Sequence, residues 1–278
     1  MTIRTLFGNM ISAAVFVLAC MSTAARAETI PADAIDTPKV LWRMVMEDFY
    51  GPYDKALKCW TARMGVDHVC MRPHRLDQVE INGVNHIFLV IGGPLLDEAG
   101  QPREAHVDSA ALGLVVLKEN GNSLKLVARN DLHTPFGTFG SLPGEDQFAV
   151  REIGPNESYG WVATSGWMGQ GHVIMSSTIF ATIGDTVVSI GDIPNHYDNM
   201  GNCENGKIIG SDTACADYSS TLLFDSSDHG SRFFPVIVKV AGSREGAAID
   251  QTFTKKFDPG TLSYGKIEGM PKEFDQGI

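Results

Sequence analysis

Apolar residues fall along most of the chain in short runs, cut every few positions by glycine, asparagine or aspartate. Residues 78–81, then Asn82-Gly83, then the run HIFLVI over 86–91 predict a strand, a type I′ turn and a buried strand. Asn-Gly accepts the positive φ angles that this turn demands, which makes it the strongest short hairpin signal. Residues 112–118 and 124–129, joined through Glu119-Asn120-Gly121-Asn122, repeat the arrangement. Further strands are expected over 147–153, 159–164, 172–183, 186–190, 221–224, 235–241 and 248–257, with a short one at 262–266.

Helical spacing is confined to the start. Over 40–49, Val40, Leu41, Met44 and Val45 share one face, and Gly51-Pro52 stops the run. Residues 54–62 predict a second short helix with Asp54 as its N-cap and Trp60 near its end. No helices of 10 to 15 residues alternate with the strands, so a parallel α/β sheet is not expected. The fold class is mainly β: an antiparallel β-sandwich or barrel-like meander of hairpins, with one or two short N-terminal helices. No repeat period holds along the chain, which argues against a propeller. Three long connections, 92–110, 130–146 and 191–219, are where a binding surface would sit.

The first residues alter how the rest is counted. Arg4 precedes an apolar stretch over 11–21, and Ala25-Arg26-Ala27 presents small residues where an export peptidase reads. The stretch is too short to span a bilayer, which takes about 20 residues of helix. The expected organisation is a signal peptide over 1–27, a flexible lead over 28–37 and a single all-β domain over 38–278. Val17-Leu18-Ala19-Cys20 also resembles the lipobox of lipid-anchored proteins, in which Cys20 would be acylated. The A-x-A site is the preferred reading.

Five cysteines are present, and removal of Cys20 leaves Cys59, Cys70, Cys203 and Cys215. An even set behind an export signal reads as disulfides, and the short spacings favour Cys59–Cys70 and Cys203–Cys215. Cys59, His68, Cys70 and His74 also suggest zinc, but no Cys-x-x-Cys pair is present and export exposes thiols to oxidation. Charge adds one exclusion. There are 22 basic and 33 acidic residues, and loss of Arg4 and Arg26 lowers the basic count to 20. Nucleic acid and anionic lipid both need clustered Lys and Arg, so neither is an expected partner.

Two segments carry candidate chemistry. Between Tyr159 and His172 lie Trp161, Trp167 and four glycines, and aromatic faces beside a groove can stack on a sugar or peptide. Trp161, Trp167 and His172 are therefore the candidate ligand residues, with Trp167 placed at the turn. The competing reading sends Trp161 into the core. Asp192, Asn195, Asp198, Asn202 and Glu204 offer hard oxygen ligands for calcium, although the run lacks the order of a calcium loop. Asparagine and aspartate also favour turns for their own backbone reasons. No nucleophile elbow, zinc-protease or nucleotide-binding motif appears, and Ser165, His172 and an aspartate form a triad only on paper.

These readings converge on an exported, periplasmic β-domain that binds a protein or cell-envelope ligand without catalysing a reaction, in the manner of an inhibitor or immunity-type protein. An envelope hydrolase with a site assembled across strands is the alternative. A calcium-stabilised structural domain is the weaker third.

Overall fold

The computed structural model describes residues 30–64, 67–130 and 134–275. The expected signal peptide, Cys20 and the first two residues of the lead lie outside the described residues. From Ile30 the lead is tied down and not loose. Strand β1 (Ile30–Pro31) pairs with Leu124 and Ser123, and a 3-10 turn (Ala32–Asp36) buries Ala34 and Ile35. Helix α1 (Pro38–Tyr50) starts on a proline and ends at Gly51, whose φ of 81° continues no helix. Its buried face carries Leu41, Val45, Met46 and Tyr50.

The expected second helix is a hairpin: β2 (Tyr53–Asp54) and β3 (Cys59–Met64). Asp54 explains the difference. Its carboxylate accepts the N–H groups of Ala56 (2.8 Å) and Leu57 (3.0 Å), so the residue type that caps helices here holds a turn. Pairing of β3 with β4 (Asp67–Ile81) outweighs the helix propensity of the segment.

The meander continues through β5 (Val84–Leu96), β6 (Ala110–Asn120) and β7 (Ser123–Arg129), each antiparallel to its predecessor. Asn82 and Gly83 both have positive φ, 50° and 73°, as the hairpin turn requires. Strand β8 (Thr134–Phe136) adds to the start of β6. A second meander follows: β9 (Phe148–Gly154), β10 (Ser158–Gly169), β11 (His172–Ile183) and β12 (Thr186–Asp198). After a small hairpin, β13 (Cys203–Glu204) and β14 (Lys207–Ile208), a third comprises β15 (Ala216–Phe224), β16 (Val236–Arg244) and β17 (Ala247–Lys255). One parallel pairing, Thr186 with Arg129, joins the first two meanders, so the sheet is mixed although antiparallel pairs dominate. Residues 262–266 form no strand; a single bridge joins Asp258 to Ser263.

Alternation along the strands builds the layers. On β5, Ile87, Leu89 and Ile91 face α1, while Phe88 and Val90 face the second meander. Both faces are covered, so HIFLVI reads as continuous apolar sequence. The inner layer between the meanders adds Leu112, Leu114, Val116, Phe148, Trp161 and Phe180. A third core packs Ile179, Ile190 and Ile193 against Val236, Val238 and Val240, closed by a C-terminal strap carrying Phe257, Tyr264, Ile267 and Phe274. Tyr264 pins the strap: its N–H donates to Ile190 O (2.7 Å) and its hydroxyl to Phe234 O (2.6 Å). Burial pushes its phenol well above the ordinary tyrosine value, which keeps the hydroxyl a donor.

The disulfides are Cys59–Cys70, which ties β3 to β4, and Cys203–Cys215, which closes the loop ahead of β15. Among the described residues, no helix is long and apolar enough to cross a membrane.

Candidate functional site

The inner face of the second meander changes chemistry part-way along its strands. On β10 the sequence of inward positions runs Trp161, Ala163, Ser165; on β11 it runs Phe180, Thr178, Ser176. Inside the sandwich these positions are aromatic or aliphatic. Beyond the edge of the first meander they become hydroxyls. On β12 the same shift is assisted by an irregularity in register, where Phe180 pairs with Ser189 and Ile179 with Gly191. The extra residue re-aims the strand, so Ser189, Asp192 and Pro194 all line one groove.

This groove has a volume of about 490 Å³, with Thr134, Pro135 and Phe136 of β8 on one side and Phe274 of the strap on another. A second hollow of about 420 Å³ shares Ser189, Asp192, Pro194 and Phe274 with it and continues along the strap past Ile267 and Met270. Thr178 donates its hydroxyl to Asp192 Oδ1 at 2.5 Å, which fixes the orientation of the carboxylate. Asp192 is the one acidic side chain among the described residues that line either hollow.

The sequence candidates divide. Trp161 is fully buried, edge-on to Phe88 at 5.0 Å between ring centroids, and its indole N–H has no partner among the described residues. It belongs to the core. Trp167 lies within β10 and not at a turn; the turn is Gln170-Gly171. It is half-buried opposite Ile174, which lines the groove's outer end. Its ring lies over Gly169, where an added Cβ would stand 2.5 Å from the indole. His172 sits at the hairpin tip, 6.5 Å from the Tyr197 ring.

The calcium candidates are dispersed. Residues 191–198, expected as loop, continue β12, so Asp192 faces the groove while Asn195 is the extra residue of an irregularity between Pro194 and His196. Asp198 accepts the N–H of Met200 at 2.6 Å, Asn202 donates to Gln170 O, and Glu204 is exposed on β13. Asp192 pairs with Thr178, six residues along β11 from His172, a separation of roughly 20 Å at the rise of a strand. Among the described residues, no three His, Cys, Asp or Glu side chains gather to hold a metal ion. Near the start, the thiols of Cys59 and Cys70 are consumed in their disulfide.

Thr134, Ser176, Thr178 and Ser189 are groove residues that sequence reasoning missed, and Ser165, weighed only as a triad member on paper, lines the same groove. Their signal was available: the SST at 176–178 interrupts an apolar strand in its core-facing phase. Compared with known proteins, the chain matches no protein-family model, no curated protein and no solved structure.

Proposed function

We propose that this protein is an exported, non-enzymatic binding domain whose ligand occupies the hydroxyl-lined groove on β10–β12. The observation that carries the reading is the switch of Phe180, Thr178 and Ser176 from core packing to groove floor, repeated on the neighbouring strands. Export is supported by the N-terminal order of Arg4, apolar stretch and A-x-A, together with two internal disulfides.

The lining selects the ligand class. Hydroxyls that donate and accept, one oriented carboxylate, and apolar ground at Ile174, Phe180 and Phe274 match an uncharged, polyhydroxylated chain such as an envelope glycan. An acidic protein with Asp192 in the lining disfavours anionic ligands. Glycoside hydrolysis uses a pair of carboxylates flanking the bond, and the described lining supplies one, which favours binding over cleavage.

Calorimetric titration with the β-1,4-linked tetramer of N-acetylglucosamine tests this. Ser176→Phe fills the floor and is expected to abolish binding. Trp167→Ala, across from the lining residue Ile174, is expected to weaken it about tenfold, the equivalent of about 1.4 kcal/mol. Unchanged affinity in Ser176→Phe would move the ligand elsewhere, and release of shorter sugars would replace binding with hydrolysis.

A further inference from the structure

The third meander ends in an open edge. Strand β17 pairs with β16 through all nine of its residues without a shift in register, and among the described residues no other strand borders it. The hairpin closes through Glu245-Gly246, both at positive φ (51° and 79°), a two-residue turn that makes Arg244 and Ala247 a hydrogen-bonded pair. Hydrogen-bonding direction alternates along a strand, so the backbone groups of Ala248, Asp250, Thr252 and Thr254 point away from β16. Among the described residues no other backbone group bonds to them, and all four residues are exposed. Sheet edges are usually blunted by a proline, a bulge, a short strand or inward-pointing charge. This one has no proline, no bulge and a single lysine, at its last position.

Charge along the edge is divided. Asp250 lies in the first half of the strand, while Lys255 and Lys256 stand at its end. A second copy laid alongside in the reverse direction sets each acidic half against a basic one. Two-fold symmetry pairs residues that share a face. With the axis at Phe253, Asp250 stands opposite the partner's Lys256; with the axis at Thr252, it is the diagonal neighbour of the partner's Lys256. Lys256 holds Asp228 at 3.0 Å, but its side chain is 75% exposed and an ammonium has three donors, so a second carboxylate can be served. Ile249 and Phe253, half-buried at this border, gain cover from the same contact. We infer that β17 is a self-association edge, through which two copies of the chain join their sheets by antiparallel β17–β17 pairing. One pair of strands buries less than the ~1,200–2,000 Å² of a stable specific interface, so the dimer is reversible, with a micromolar dissociation constant. No residue of β17 lines either hollow, and the inference is independent of the groove and its ligand.

Sedimentation equilibrium of the oxidised full chain across a micromolar concentration series tests this. The mass is expected to rise from one chain to two and to stop there. Thr252→Pro removes an outward-pointing N–H while sparing the ladder to β16, and is expected to keep the protein monomeric with an unchanged circular dichroism spectrum. Asp250→Lys and Lys256→Asp should each weaken the dimer about tenfold. Both together exchange the charges and should recover most of the lost affinity, which a merely structural role for either residue would not produce. The inference fails if the unmodified chain stays monomeric throughout, if its mass grows past two copies, or if folded Thr252→Pro still dimerises. It fails equally if the double charge exchange associates no better than the single changes, a readout that stands even should the proline variant not fold.

Discussion

Trp161→Ala is expected to lower the free energy of unfolding by about 4 kcal/mol, among the largest effects of any single substitution in this chain. The indole is fully buried between the first two meanders, where it touches Phe88 in an edge-on arrangement. Truncation would remove its apolar contacts and leave a cavity that strands on both sides are too constrained to fill. Trp161→Phe should be far milder, below about 1.5 kcal/mol, because the lost volume is smaller and the orphaned indole N–H disappears with it. Trp167→Ala provides the contrast. Its half-buried ring lies on the projecting hairpin, so stability should change by under about 1 kcal/mol while groove binding falls. Urea denaturation of the three variants, read beside glycan affinity, checks the set. Equal destabilisation by the two alanine substitutions would mean that Trp167 is also a core residue.

That pair of tryptophans shows what the sequence made legible. Period-two alternation marked most of the long strands, though not β3 and wrongly 262–266, and the unbroken HIFLVI marked one that is buried. Asn82-Gly83 gave its hairpin because the physics of that turn is local. The misread segments are those decided by distant partners. Residues 54–62 have a helix-like pattern, but strand pairing and a disulfide to Cys70 determine their conformation. Residues 191–198 are polar enough to read as a loop, yet both neighbours, β11 and β15, supply ladder partners that make them strand. The groove was hidden for a related reason. A serine in a strand looks the same whether it faces solvent or lines a hollow, and only the end of the opposing layer decides which. Asp192 was singled out as a calcium ligand, whereas its fixed partner is the Thr178 hydroxyl.

The second large effect concerns the sulfurs. Opening both disulfides is expected to remove about 6 kcal/mol, since closing a loop of eleven or twelve residues contributes about 3 kcal/mol through the unfolded chain. A domain of this kind has a total stability of about 5–15 kcal/mol, so reduction should bring it near or past its folding threshold at 37 °C. The two bonds should not open together. Cys59 and Cys70 are fully buried beside Leu96, whereas Cys203 is half-buried in its loop, so mild reductant should reach Cys203–Cys215 first. Replacing that pair alone by alanine should cost about 3 kcal/mol and loosen the 203–215 loop, leaving the groove in place. Replacing Cys59 and Cys70 should cost a similar amount and free the first hairpin from β4. Thermal melts of the two double variants and the quadruple variant, with and without reductant, measure each contribution. Near-additive losses are expected because the bonds lie in separate regions of the fold. A quadruple variant that melts with the oxidised protein would remove the reason for this chain to need an oxidising compartment, and with it the structural support for export.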